Sequence, residues 1–462
     1  TTLVVESCQV LNCIGNEGGG LNSIGYNLLT FETSDLLVTD SVFKDNRADQ
    51  GNGGGIRLVG SDGDESEFPP ANAVIRRTLV RDNEAFSRGG GLYIGKSQNL
   101  DSEFNRFEGN LAGEGGGIFL GVLSNLTSQN DYIYQNRADT SDPSVSAGNG
   151  HGGGLAFFTA EPHSFTGAIF TENHADSVGG GIAGRCGALP LFDSATGTAN
   201  PADVTLKNSL LFKNTADSGG GGIHLNKATL RMLSTTIASN NDGGPGNGRN
   251  VVITNTIDCE ADPEFPFFEI PFAEMEVIDS IIYSPFSGAL SFTQNFFVSQ
   301  GGTGGTLGAY FRTSNVQSGG TGSLDLGSPA FVTSLDPVAG ALVLDGDNDE
   351  ASRFVLTAPD FYLLQGASGS VDAAGSSATN WAETTSQKLL PDVFTRDQGY
   401  HYESFAESYA TADPVLVRYT DTIIPGKEAQ FVLFHGTSAP AATDWFFGGA
   451  ITGVSETTLD YD

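Results

Sequence analysis

The chain has 462 residues, with 22 Lys and Arg against 55 Asp and Glu, a formal net charge of −33. That balance excludes a nucleic-acid binder, which needs a basic stripe for the phosphates, and a protein that docks on anionic lipid. No apolar run approaches the length of a membrane span, and the 62 glycines, about twice the usual share, must be accounted for by the fold.

Residues 1–37 open with an imperfect copy of the pattern that follows. Val10 stands three positions before Cys13, and Gly18-Gly19-Gly20-Leu21 comes next. The solenoid read below starts here, or an upstream coil precedes it. No Met start, leader or anchor is seen, so the chain reads as a mature or excised section of something longer.

From residue 38 to 241 the pattern is regular. An apolar residue, two variable residues, Asn, one variable residue and Ala lead through a short loop to Gly-Gly-Gly and an apolar strand. The asparagines are Asn46, Asn83, Asn110, Asn136, Asn173 and Asn214, with Asn240 as a degenerate seventh copy. The glycine runs begin at Gly53, Gly89, Gly115, Gly152, Gly179 and Gly219. The short spacing is the basic coil, and the long ones carry loop-like inserts at 60–70, 140–150 and 187–202.

Two strands per coil are predicted. One follows the glycines: Ile56-Arg57-Leu58, Leu92-Tyr93-Ile94, Ile118-Phe119-Leu120 and their successors. Its outer members face a core and its middle residue faces out. The other precedes the Asn and carries Phe43, Val80, Phe107, Ile133, Phe170, Leu211 and Ile237 in one column. Like residues at a fixed offset are what stacked, in-register parallel strands produce. The Asn column is predicted to turn inward at a corner and hydrogen-bond to the coils above and below. The glycine runs mark another corner.

Beyond residue 241 the coils become irregular, with strands expected at 251–256 and 277–283. Residues 403–462 change character. Alternating runs at 414–420, 429–435 and 446–454 suggest a small C-terminal β cap or the first part of a β-domain. The domain reading is 1–402 solenoid and 403–462 C-terminal segment.

The Gly-Gly-Gly-Ile/Leu and apolar-x-x-Asn pairing resembles right-handed, pectin-lyase-like parallel β-helices. More narrowly, it resembles the repeats of bacterial polymorphic outer-membrane proteins and related secreted surface proteins. The stretch from Phe361 to Gly375, followed by Asp397-Gln-Gly399-Tyr-His-Tyr402, is similar to the closing coils of large secreted bacterial β-helix proteins. The resemblance implies an all-β, right-handed parallel β-helix solenoid and brings no catalytic residue with it.

Candidate chemistry is sparse. Gly150-His151-Gly152 resembles a polygalacturonase phrase, but its companion Asp-Asp pair and Arg-x-Lys phrase are missing, and His151 reads as a loop residue. His174 sits where other coils carry Arg47, Glu84, Leu111, Arg137 and Thr215, and His224 sits on an outward strand position. Arg57, Arg76, Arg77, Arg81 and Arg88, with Asp62, Asp64, Glu65 and Glu67 on the nearby insert, form the most enzyme-like cluster. A solvated charged face is the plainer reading. Asp345, Asp347 and Asp349 alternate as Ca2+ ligands do, without the glycine and glutamate of an EF-hand loop. Ca2+ is the one cofactor suggested. Cys8 and Cys13 could pair as an N-terminal staple, and Cys186 and Cys259 could close a long loop. The alternative is four free thiols. Asn125-Leu-Thr127 is a glycosylation sequon.

The expectation is therefore a secreted or cell-surface structural and adhesive β-helix: a stalk, filament subunit or adhesin section, non-catalytic. Its partners would be itself, end to end or laterally, or other surface proteins, with no nucleic acid and no membrane insertion. The alternatives are a carbohydrate-active enzyme, lyase or hydrolase, or a non-catalytic glycan binder using Tyr93 and Phe119 as a platform.

Overall fold

In the computed structural model the chain is described from residue 2 to 283, apart from 28–31, 34, 61–70, 96–97, 122–123, 143, 146–147, 160, 186–201, 227, 243–249 and 255–273. Beyond 283 the strands Phe296–Ser299, Gly308–Arg312, Asn315–Val316, Leu324–Asp325, Glu383–Thr384, Tyr402–Glu403, Leu416–Tyr419 and Phe431–Phe434 are described. The chain divides into two compact units, Thr1–Ser404 and Phe405–Asp462. In the second unit Leu416–Tyr419 pairs antiparallel with Phe431–Phe434.

The first unit is an all-β parallel β-helix. Each regular coil has four strands rather than the two read from the sequence. In one coil they are Asp35–Thr39, Val42–Lys44, Arg47–Ala48 and Ile56–Val59. Equivalent strands of successive coils stack in chain order into four parallel sheets, here the first to the fourth, with ten, ten, eight and ten strands. The register is strict: Val42 pairs with Leu79, Phe43 with Val80, and Val80 with Phe107. At about 4.8 Å per rung, ten coils span about 43 Å.

The stretch read as one strand before each Asn is broken by a turn with positive φ. Two such residues occur per coil, five apart: Asp40 and Asp45, Arg77 and Asp82, Phe104 and Gly109, Asn208 and Lys213. The non-glycine members lie at φ between 45° and 57°, a left-handed conformation that costs an L-residue roughly 1–2 kcal/mol. The neighbouring coil imposes it, because the turned residue donates its N–H to a carbonyl there. Arg77 donates to Glu103 and Phe104 to Gln129, at 3.0 and 2.9 Å.

After each turn the following N–H points at a side chain instead of a carbonyl, and this creates the polar ladders. Asn46 donates both its backbone N–H and its Nδ2 to Asn83 Oδ1, at 3.0 and 2.9 Å, and Nδ2 also reaches Val10 O at 2.9 Å. The same links run from Asn83 to Asn110, Asn136, Asn173, Asn214 and Asn240. All these asparagines are buried with their polar atoms satisfied, as burial requires. A second column, at the earlier turn, holds Cys8, Ser41, Thr78, Asn105, Asp131, Ala168, Ser209, Thr235 and Ser280. Thr78 N–H donates to Asn105 Oδ1, and Asn105 N–H to Asp131 Oδ1.

The glycine corner needs no side chain for two reasons. The first glycine of each triplet has positive φ. In the last regular coil that residue is Gly220, so its triplet starts one residue later than the sequence suggested. The third glycine faces the Asn of the next coil: a Cβ on Gly91 would lie 2.9 Å from Asn110 Nδ2. Asn250 occupies that third position in its own coil, where Gly222 N–H donates to its carbonyl. From there its side chain accepts from Asn240 N and Nδ2, at 2.9 and 2.8 Å. An asparagine in a glycine position thus supplies the last described rung.

Between the ladders the core is a column of Phe43, Val80, Phe107, Ile133, Phe170 and Leu211, facing Ile56 and Leu58 and their equivalents, all buried. In the first coil Leu3, Val4, Leu11, Ile14 and Ile24 are exposed.

Candidate functional site

The outer face of the fourth sheet carries one column through the coils: Asn22, Arg57, Tyr93, Phe119, Ala156, Ala183, His224 and Val252. Tyr93 and Phe119 stack with ring centroids 5.6 Å apart and planes 1° from parallel. Two alanines follow, so the column drops by two large side chains. Gly184 deepens the step, because the Phe157 ring fills the space where its Cβ would stand. The result is a cleft of about 350 Å3 lined by Glu114, His151, Ala156, Phe157, Val178, Ala183, Gly184, Arg185, His224 and Asn226.

A second column borders the cleft, the residue before each positive-φ glycine: Glu17, Asn52, Arg88, Glu114, His151, Val178 and Gly219. Stacking places Arg88, Glu114 and His151 on successive rungs. Glu114 is buried. Its Oε2 accepts from Arg88 Nε at 3.0 Å, while Oε1 lies 3.6 Å from His151 Nδ1 and 3.7 Å from an Arg185 terminal nitrogen. Burial pushes the Glu114 carboxyl up. The His151 hydrogen bond and the charges of Arg88 and Arg185 outweigh it and hold the group below the ordinary glutamate range. Glu114 is therefore ionised and already engaged, which suits a counter-ion that orients two guanidinium groups and not a general acid. Arg88 lies over the Phe119 ring at 4.9 Å and Arg185 over Phe158 at 4.5 Å.

Sequence reasoning missed this cluster. It set Glu114 and Arg88 aside as variable loop residues beside His151, although aligning the residue before each glycine would have put all three in one stack. The Tyr93 and Phe119 platform is present as a stack, but Phe119 is only 1% exposed, so its face is not open to a ligand.

The arginine cluster does not converge. Arg57 pairs with Glu17, Arg76 with Glu103, Arg77 with Asp40, Arg81 with Asp82 and Arg88 with Glu114, each in its own place around the coil. Asp62, Asp64, Glu65 and Glu67 lie outside the described residues, as do Asp345, Asp347, Asp349, Cys186 and Cys259. Cys8 and Cys13 are free thiols, so the staple read between them is not formed. They stand at the starts of two different corners, where Cys8 N–H donates to Ser41 Oγ and Cys13 N–H to Asn46 Oδ1. Their thiols donate to the carbonyls of Glu6 and Leu11.

Among the described residues no helix is long and apolar enough to cross a membrane. No protein-family model, curated protein or solved structure matches the chain.

Proposed function

We propose that the chain is a rigid structural and adhesive element of a secreted or cell-surface protein. The observation that carries this reading is the unbroken run of in-register ladders, which gives a stiff rod with repeating sides. The first coil adds an edge with exposed apolar residues that accepts a further coil, whichever chain supplies it. Negative-stain imaging of the purified chain, with and without Ca2+, tests the reading. Rods joined end to end or side by side support it. Uniform single particles in both conditions count against self-assembly.

A second reading, glycan binding without cleavage, is favoured by the cleft at Ala156 and Ala183. Its floor is apolar, and its wall offers guanidinium, imidazole and amide groups that can donate to sugar oxygens. Among the described residues lining it, Glu114 is the one carboxylate, whereas glycoside hydrolysis commonly needs a pair. A polysaccharide-binding screen followed by product analysis separates the possibilities. Binding that is weakened by Arg185→Ala, with no new chain ends, supports this reading; product formation would move the chain to the enzymes.

A further inference from the structure

We propose that the third-sheet corner of the β-helix binds a divalent transition-metal ion of the zinc or nickel type through His174, Asp176 and Asp217. The site lies on a different sheet from the cleft and does not depend on either reading above.

His174 and Ala175 pair in register with Thr215 and Ala216. The next residues, Asp176 and Asp217, are therefore neighbours on adjacent rungs, and Asp217 N–H donates to Ala175 O at 3.0 Å. Like charges directly opposite each other on parallel strands repel. One rung earlier Asp139 has its own counter-charge, Arg137, at 2.7 Å. Among the described ion pairs neither Asp176 nor Asp217 meets a lysine or arginine; the basic group beside them is His174. One ligand atom from each of the three side chains lies within 4.8 Å of the other two. His174 Nε2 is 3.4 Å from Asp176 Oδ1, near the edge of about 3.3 Å expected for a tetrahedron with bonds of 2.0–2.1 Å.

A second observation comes from outside the cluster. His174 Nδ1 lies 2.9 Å from Thr215 Oγ1 on the next coil. With Nδ1–H donating to that hydroxyl, the lone pair of Nε2 faces the carboxylates, the arrangement that outer-sphere partners impose on metal-binding histidines. Asp176 is tethered in the same way. Its Oδ2 accepts from Thr140 N at 2.9 Å, which leaves Oδ1 toward the imidazole. One nitrogen and two carboxylate oxygens suit zinc or nickel better than Ca2+, which takes oxygen ligands alone. Three protein donors leave further positions on the ion open.

The test is calorimetric titration of the full chain with Zn2+ and, separately, Ca2+. The expected result is a Zn2+ site that is lost in His174→Ala and weakened in Asp217→Asn, an exposed position whose change leaves the fold intact. Thr215→Val, which keeps all three ligands and frees the imidazole, should weaken Zn2+ by 10- to 100-fold. Circular dichroism without metal checks that each variant is folded. Equal Zn2+ stoichiometry and affinity in the wild type and His174→Ala overturns the proposal, as does the absence of Zn2+ binding. Zn2+ binding unchanged by Thr215→Val removes the orienting role of that hydroxyl.

Discussion

Replacing Asp131 by Asn should stabilise the solenoid at neutral and alkaline pH and do nothing in acid. Asp131 is buried in the earlier-turn ladder. Its Oδ1 accepts from Asn105 N–H at 2.7 Å and its Oδ2 from Ser128 Oγ at 2.6 Å. Burial nevertheless dominates and pushes the carboxyl up from 3.8 to about 6, against the hydrogen bonds from Ser102, Ser128 and Asn105 that favour the charged form. The folded state thus holds its proton more tightly than the unfolded chain does. The contribution of Asp131 is fully present below the unfolded value and lost as pH rises through the folded one. About 2 pK units at 1.36 kcal/mol each make this roughly 3 kcal/mol by pH 8. An asparagine already fits this column one rung earlier. There Asn105 Nδ2 donates to Ile75 O and Ser102 Oγ, and the amide introduced by Asp131→Asn would meet Ser102 O and Ser128 Oγ in the same way. The assay is urea unfolding of wild type and variant from pH 4 to pH 8, read as the difference between them, so that other titrating groups cancel. A gain of about 3 kcal/mol at pH 8 that shrinks to nothing near pH 4 is expected. A difference independent of pH, or a variant less stable at pH 8, would refute the argument.

Three further outcomes follow from the same geometry. Asn250→Gly restores the glycine that earlier coils carry at this position, yet it should destabilise by about 1–3 kcal/mol, because Asn240 N and Nδ2 lose their acceptor; a neutral or stabilising result in denaturant titration counts against the rung assignment. Glu114→Gln should destabilise at pH 7 and much less near pH 3. The depressed carboxyl contributes stability above the ordinary glutamate range and loses it as pH falls through its lower folded value, which thermal unfolding across that window would show. Ala156→Phe should extend the Tyr93–Phe119 stack by one rung and fill the cleft, leaving the thermal midpoint unchanged or higher while abolishing any glycan binding seen by calorimetry.

The sequence carried the stacking plainly, because side chains that repeat at a fixed offset and pack on themselves leave columns: Phe43 to Leu211 in the core, Asn46 to Asn240 at the corner. The left-handed turns left no such trace. Arg77, Phe104 and Lys213 share a conformation and no chemistry, since a carbonyl of the adjacent coil dictates their backbone and their own side chains do not. Four short strands therefore read as two long ones. Asn250 was hidden for a related reason: its amide enters the ladder from a glycine position, not from the position expected of an asparagine. The cleft was half legible. Ala156 and Ala183 stood in the outward column from the start, but the neighbouring stack of Arg88, Glu114 and His151 emerges only when the loop residue is counted as part of the coil.

The asparagine ladder also gives the rod a direction. All seven side-chain links, from Asn46 through Asn250, run one way, each amide N–H pointing to the later coil and each C=O to the earlier one. Aligned dipoles of this kind strengthen one another. Their sum leaves the early end of the ladder weakly negative and the late end weakly positive. Two such columns placed head to tail continue the same polarity, while head to head they oppose it, so an axial neighbour that extends this ladder is selected for orientation as well as for shape.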